Sequence, residues 1–252
     1  MKRACESGDT RVSIVVPVFD EEACLRELHR RLTDVVRGPL EIVFVDDGSR
    51  DRSYALIESL AAADPRVRGL GFARNRGSQH ALLCGLRAAR GEVICTIDAD
   101  LQHPPELVPE LLQAWRDGFD VVETHRRQAP PHGVVRELVT PRFYRALDAL
   151  SGVRVAPAST DFRLLDRACV DQLRGWPGEL VRAMVARLSA TRTSIGFDVA
   201  PRFSGVSRYD GVRLWRDGAH ALYASMRARF LMPNSLPVST PARSVGVGLD
   251  GG

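Results

Sequence analysis

A chain of 252 residues with a formal net charge of +4 is long enough for one large α/β domain or two small ones, and long enough to bury most of what its unfolded form exposes. Its 44% hydrophobic and 26% charged content is that of an ordinary soluble protein, and no window approaches the roughly 18 consecutive apolar residues of a membrane span. Cys5, Cys24, Cys84, Cys95 and Cys169 are scattered without a Cys-x-x-Cys pair, so neither a zinc site nor a disulfide framework is indicated.

Met1 to Arg11 carries Lys2, Arg3, Glu6 and Asp9 and reads as a flexible N-terminus, not a signal peptide, which makes a cytoplasmic protein the expectation. Val12 to Val18 and Leu40 to Val45 are the β-branched runs of strands buried on both faces. Between them, Glu21 to Val36 spaces Leu25, Leu28, Leu32 and Val35 as one stripe of an amphipathic helix. The alternation continues with a helix at Asp51 to Ala63, a strand at Val67 to Phe72, a helix at Gln79 to Ala89 and a strand at Glu92 to Ile97. Pro104-Pro105 suits the first turn of a helix running from Glu106 to Asp117, followed by a strand at Asp120 to Glu123. His125 to Gly133 reads as a mobile loop, then helices are predicted at Val134 to Leu150, Asp166 to Leu173 and Glu179 to Ser189, and a last strand at Thr193 to Val199. A polar loop from Arg202 to Gly211 leads to an amphipathic basic helix from Val212 to Phe230 and a disordered tail over 233–252. The pattern is that of an α/β fold, a mostly parallel central sheet flanked by helices, with ligands beyond the carboxyl ends of the strands.

Asp98-Ala99-Asp100-Leu101-Gln102 follows the Glu92 to Ile97 strand, and two carboxylates one residue apart at a strand end can converge on a divalent cation that also holds two phosphates. The alternative is a solvated acidic turn. Asp46-Asp47-Gly48-Ser49, after the Leu40 to Val45 strand, offers carboxylates to a base edge or ribose hydroxyl, or else a cap for the following helix. Arg126 and Arg127 in one loop and Arg202 and Arg208 in another could close over a diphosphate, since the arginine fork suits phosphate oxygens. His80 and His103 read as packing or capping residues. There is no Gly-x-Ser-x-Gly elbow to suggest covalent catalysis, and no Gly-x-Gly-x-x-Gly after the first strand to suggest a dinucleotide enzyme.

In order and spacing, IVVPVFDEEACL, IVFVDDGSRD, FARNRGSQHALLCGLRAARGEVICTIDADLQHPPELVPEL and STDFRLLDR resemble the dolichol- and polyprenyl-phosphate sugar transferases of glycosyltransferase family 2. The resemblance covers about residues 12–232 and implies one GT-A domain, a nucleotide-diphosphate sugar donor linked to UDP or GDP, and an inverting single displacement. It puts Pro17, Phe19, Glu21, Val45 and Asp47 at the nucleoside, Asp98 and Ala99 against the nucleotide, and Asp98, Asp100 and Gln102 on Mg2+ or Mn2+. Arg126, Arg202 and Arg208 match positions that contact the donor diphosphate or the acceptor phosphate. Asp100 and Asp161 are the catalytic candidates, Asp161 as the base if the acceptor is a hydroxyl, with anchoring Arg163 or capping the Asp166 helix as its alternative roles. Phe19-Asp20 stands where the family usually has Tyr-Asn, Thr124-His125-Arg126 replaces Gly-x-Arg, and Arg208 replaces lysine. The implied partner is a polyprenyl phosphate, reached by peripheral contact of the Val212 to Phe230 helix with the inner membrane face. The chain does not continue into C-terminal membrane helices as many relatives do, which keeps a soluble acceptor in natural-product, nucleoside or cell-envelope glycoside assembly as the alternative. Intact Asp98, Asp100 and Gln102 argue against a non-catalytic sugar-nucleotide binder, and no nucleic acid is expected as a partner.

Overall fold

The computed structural model of the protein describes residues 10–127, 159–174 and 181–200. The predicted helix at Val134 to Leu150, the Arg202 to Gly211 loop with Arg202 and Arg208, the Val212 to Phe230 helix and the tail lie outside the described residues. Thr10, near the end of the segment expected to be flexible, is already buried, and the Arg11 carbonyl accepts the Glu92 N–H at 2.8 Å.

The first half alternates as the sequence predicts: β1 Val12–Val18, α1 Glu22–Val35, β2 Leu40–Asp46, α2 Ser53–Ala63, β3 Val67–Gly71, α3 Ser78–Ala88 and β4 Val93–Thr96. A 3-10 turn at Pro105–Leu107 opens α4 Val108–Arg116, and β5 Val121–Arg126 follows. Then come β6 Ser159–Asp166, α5 Arg167–Arg174, α6 Val181–Ala186 and β7 Arg192–Phe197. The seven strands form one sheet in the order β3-β2-β1-β4-β6-β5-β7. β1 pairs in parallel with both β2 and β4, β2 with β3, and β5 with β7, while β6 runs antiparallel to both its neighbours.

Two apolar layers enclose the sheet. On one face Leu25, Leu28 and Leu32 of α1, Ile57 of α2 and Leu111 and Trp115 of α4 meet Ile14, Val16, Ile42, Phe44, Phe162 and Leu164. On the other, Leu82 and Leu86 of α3, Val170 of α5 and Met184 and Val185 of α6 cover Val15, Val43, Ile94 and Leu165. Helix α3 sits so close to the strands that a Cβ on Gly85 would overlap the Val15 side chain, so only glycine admits that approach.

Two expectations change. β6 was not predicted: its residues alternate between the two core faces, but Asp161 and Arg163 break the apolar signal that marks a buried strand. β5 continues through His125 and Arg126, paired with Gly196 and Phe197, so Arg126 ends a strand where a mobile loop was expected.

Candidate active site

Because β1 to β4 are parallel and β5 and β7 run the same way, their carboxyl ends share one edge of the sheet. The antiparallel β6 brings its first residues to that edge, beside the end of β4. Asp47, Asp98, Asp100, Asp161, Arg126 and Asp198 therefore gather there, with the start of α3.

The first two loops are stitched together. Asp20 adopts a left-handed backbone with φ 54°, which a short carboxylate side chain tolerates. Its N–H donates to Ser49 Oγ at 2.9 Å, and its carboxylate accepts the Arg50 N–H at 2.6 Å and the Arg50 guanidinium at 2.8 Å. Arg50 also lies 5.5 Å from the centroid of the Phe19 ring, taking up one aromatic face. Pro17 and Glu21 are half-buried beside Phe19, whereas Val45 and Ala99 are buried in the core.

Asp47 caps no helix, nor does Ser49. The two Asp47 oxygens accept the N–H groups of Arg76 at 2.7 Å and Gly77 at 2.9 Å, fixing the loop between β3 and α3. Burial raises the Asp47 carboxyl above its ordinary value, the two N–H groups partly offset this, and the charge of Asp46 adds to it. Gly48, at φ 70°, packs against that same loop: a Cβ would stand 2.6 Å from the Arg74 carbonyl carbon.

The acidic turn after β4 is held tightly. Asp100 Oδ1 accepts the Gln102 N–H at 3.1 Å, the Gln102 carbonyl accepts the Ala200 N–H at 3.3 Å, and buried Leu101 takes φ 60°, a conformation a bulky side chain adopts only under external constraint. His103 packs beneath, as expected, with Nδ1 at 3.5 Å from Asp98 Oδ2. Desolvation raises the Asp98 carboxyl, His103 and Arg182 oppose the rise, and the charges of Asp161 and Asp100 reinforce it.

Asp161 anchors Arg163, one of the alternatives the sequence left open, while the cap of α5 is Asp166, whose Oδ1 accepts the Ala168 N–H at 2.9 Å. Asp161 accepts from Arg163 at 2.9 Å, from Arg182 at 3.4 Å and from Gln79 Nε2 at 2.9 Å. Burial alone would raise its carboxyl, but Arg182 and Arg163 outweigh that and hold it below the ordinary value, so it stays an anion and a weak base. The Gln79 side-chain oxygen Oε1 accepts the Val181 N–H at 3.1 Å and so ties α3 to the start of α6. Gln79 and Arg182 escaped the sequence reading. The GSQH segment does precede a helix, but nothing in it signals a partner beyond a strand 82 residues on. Arg163, only 1% exposed, shows in the TDFR run but not as a buried cation. Arg126, at the end of β5, has a buried Nε with no hydrogen-bond partner among the described residues.

Among the described residues no three His, Cys, Asp or Glu side chains converge to hold a metal by themselves. Asp98 and Asp100 nevertheless fit one. Their oxygens are the hard donors Mg2+ and Mn2+ take, the charges of Asp100 and Asp161 both bear on Asp98, and an amide from Gln102 with ligand phosphates would complete the shell. No helix among these residues is long and apolar enough to cross a membrane.

The family profile described as Glycosyl transferase family 2 matches residues 13–174. The uncharacterized glycosyltransferase YkcC of Bacillus subtilis (strain 168) is 34% identical over 208 residues, covering 81% of this chain and 64% of its own length. The bactoprenol glucosyl transferase of Shigella phage SfV is 31% identical over 210 residues, covering 81% and 68%. The chain thus spans about two-thirds of these relatives. Among solved structures, the glucosyl-3-phosphoglycerate synthase of Mycobacterium tuberculosis in complex with Mn2+, UDP and phosphoglyceric acid superposes with a TM-score of 0.59 at 18% identity, over 89% of this chain and 80% of that one. The mannosyltransferase PcManGT of Pyrobaculum calidifontis, in complex with GDP-Man and Mn2+, gives 0.60 at 20% identity over 91% and 67%. At such identities the likeness is one of fold, and the fold is GT-A.

Proposed function

The chain belongs to glycosyltransferase family 2, and we propose that it moves a sugar from a nucleotide-diphosphate donor, with inversion, to a polyprenyl-phosphate-type acceptor. The observation that carries this reading is the placement of Asp47, Asp98, Asp100, Asp161 and Arg126 along one edge of the sheet, where the charges of Asp100 and Asp161 both bear on Asp98. The lipid-phosphate acceptor rests on the relatives at about 31% identity that are named for bactoprenol.

In this reading Asp98, Asp100 and Gln102 hold Mg2+ or Mn2+, which when bound supplies positive charge to the departing diphosphate. Pro17, Phe19 and Glu21 border the nucleoside with Val45 beside them, Ala99 lies against the nucleotide, and Asp47 fixes the loop before α3. Arg126, with Arg202 and Arg208 from beyond the described residues, draws phosphate oxygens by forked hydrogen bonds that strengthen as negative charge develops. A phosphate monoester acceptor is already anionic near neutral pH, so Asp161 need remove no proton. Its role is then to keep its charge, holding Arg163 and Arg182 beside the reacting centre. A hydroxyl acceptor would instead need Asp161 as base, a task its lowered pKa suits poorly.

Calorimetric titration with UDP, GDP and dTDP, each with and without Mn2+, tests the donor site. One nucleotide should bind in a metal-dependent manner to the wild type and at least about tenfold more weakly to Asp100→Ala. A folded wild type that binds none of the three would sink the reading.

A further inference from the structure

His103 is 2% exposed, and neither ring nitrogen has a hydrogen-bond partner among the described residues. A buried imidazole with no partner for its N–H is costly, and a hydrophobic side chain of the same shape would pack there without that cost. The ring is also held in place. Phe162 of β6 stacks on it at 5.4 Å with 28° between planes, and Phe197, the last residue of β7, meets it edge-on at 5.4 Å and 78°. So gripped, it holds Nδ1 3.5 Å from Oδ2 of Asp98, without making a hydrogen bond.

We propose that His103 is a positioning residue for Asp98, donating its Nδ1–H to Oδ2 and so presenting the other carboxylate oxygen to a divalent cation. The inference rests on the reading of Asp98 as a cation ligand and deepens it by naming what aims that ligand. An approach to about 3 Å with the N–H in line makes the bond. The aromatic clamp, built from strands on either side of β5, stops the ring from turning away. An outer partner that orients a ligating carboxylate commonly contributes 10- to 100-fold in metal affinity. The charge of Asp161 and Asp100 pushes on the same carboxylate, which makes an orienting donor more useful there than at an isolated ligand.

Two substitutions separate positioning from packing. His103→Phe keeps an aromatic ring between Phe162 and Phe197 but removes the donor. His103→Asn keeps an N–H near the Nδ1 position but loses the stacking. Mn2+ affinity, read by electron paramagnetic resonance in the presence of whichever of UDP, GDP and dTDP the wild type binds, and melting temperature should then move in opposite directions. His103→Phe should melt at or above the wild type yet bind Mn2+ about tenfold or more weakly. His103→Asn should melt lower and recover most of the affinity. Equal Mn2+ affinity in the wild type and His103→Phe, or affinity that simply follows stability across the two variants, overturns the inference and leaves the donor site standing. A wild type that binds no Mn2+ with any of the three nucleotides overturns both.

Discussion

Asp64 shows how much one carboxylate can join. It stands at the end of α2 and accepts the Arg66 backbone N–H at 2.9 Å, the Arg66 guanidinium at 2.8 Å and His29 Nε2, as donor, at 2.9 Å, so α1, α2 and the entry to β3 meet on it. The Arg66 hydrogen bonds, despite the opposing effect of burial, hold its carboxyl well below the usual carboxylate range. A depressed folded value means that its stabilisation is complete above the unfolded value near 4 and is lost as pH falls from there through the folded value. Asp64→Ala should therefore lower the unfolding free energy by about 1–3 kcal/mol at pH 7, with the difference shrinking below about pH 4. Urea denaturation of both proteins at pH 7 and pH 3 checks this, and a difference that grows on acidification would contradict it. At this scale the sequence singled out Asp47 as a candidate but not its partners, because the N–H groups of Arg76 and Gly77 come from 29 and 30 residues away. The sheet, not the local spacing, brings them together.

Elements whose side chains repeat a single pattern were legible; elements built on a buried charge were not. β1, β2 and α1 declare themselves, since their apolar residues follow the periods of a fully covered strand and a one-sided helix. β6 hides because Asp161 and Arg163 interrupt it, and those two residues neutralise each other only once the strand lies under α3 and α6. The same buried polar patch sets the position of α6, a helix of 6 residues too short to be stable without tertiary contacts. Gln79 clamps it by accepting the Val181 N–H while donating to Asp161. Gln79→Leu, close in size but without the amide, should cost about 1–2 kcal/mol and speed hydrogen exchange at the Val181 amide selectively over the α1 amides. Unchanged exchange at Val181 would mean that apolar packing of Met184 and Val185 alone fixes the helix.

Across the described residues, one sheet edge collects several carboxylates, of which Asp161 is paired with Arg163 and Arg182. The reversed strand β6, placed between β4 and β5, adds Asp161 to the carboxylates that the parallel strands already deliver. Asp98 feels both Asp161 and Asp100 as repulsion, so part of the stability of the free protein is given up at this edge. A functional site held against local stability predicts a trade-off. Asp98→Asn should leave the free protein equally stable or up to about 1 kcal/mol more stable, because it removes a like charge from a partly exposed cluster. Mn2+ and the bound nucleotide at about 100 times their dissociation constant should raise the wild-type unfolding free energy by roughly 2.7 kcal/mol, a shift of about 5–10 °C for a chain of this size. Asp98→Asn should lose most of that shift. Melting curves of the two proteins with and without Mn2+ and nucleotide measure both effects together. A variant less stable than the wild type when free, but stabilised equally by ligand, would show that Asp98 serves the fold and not the cation.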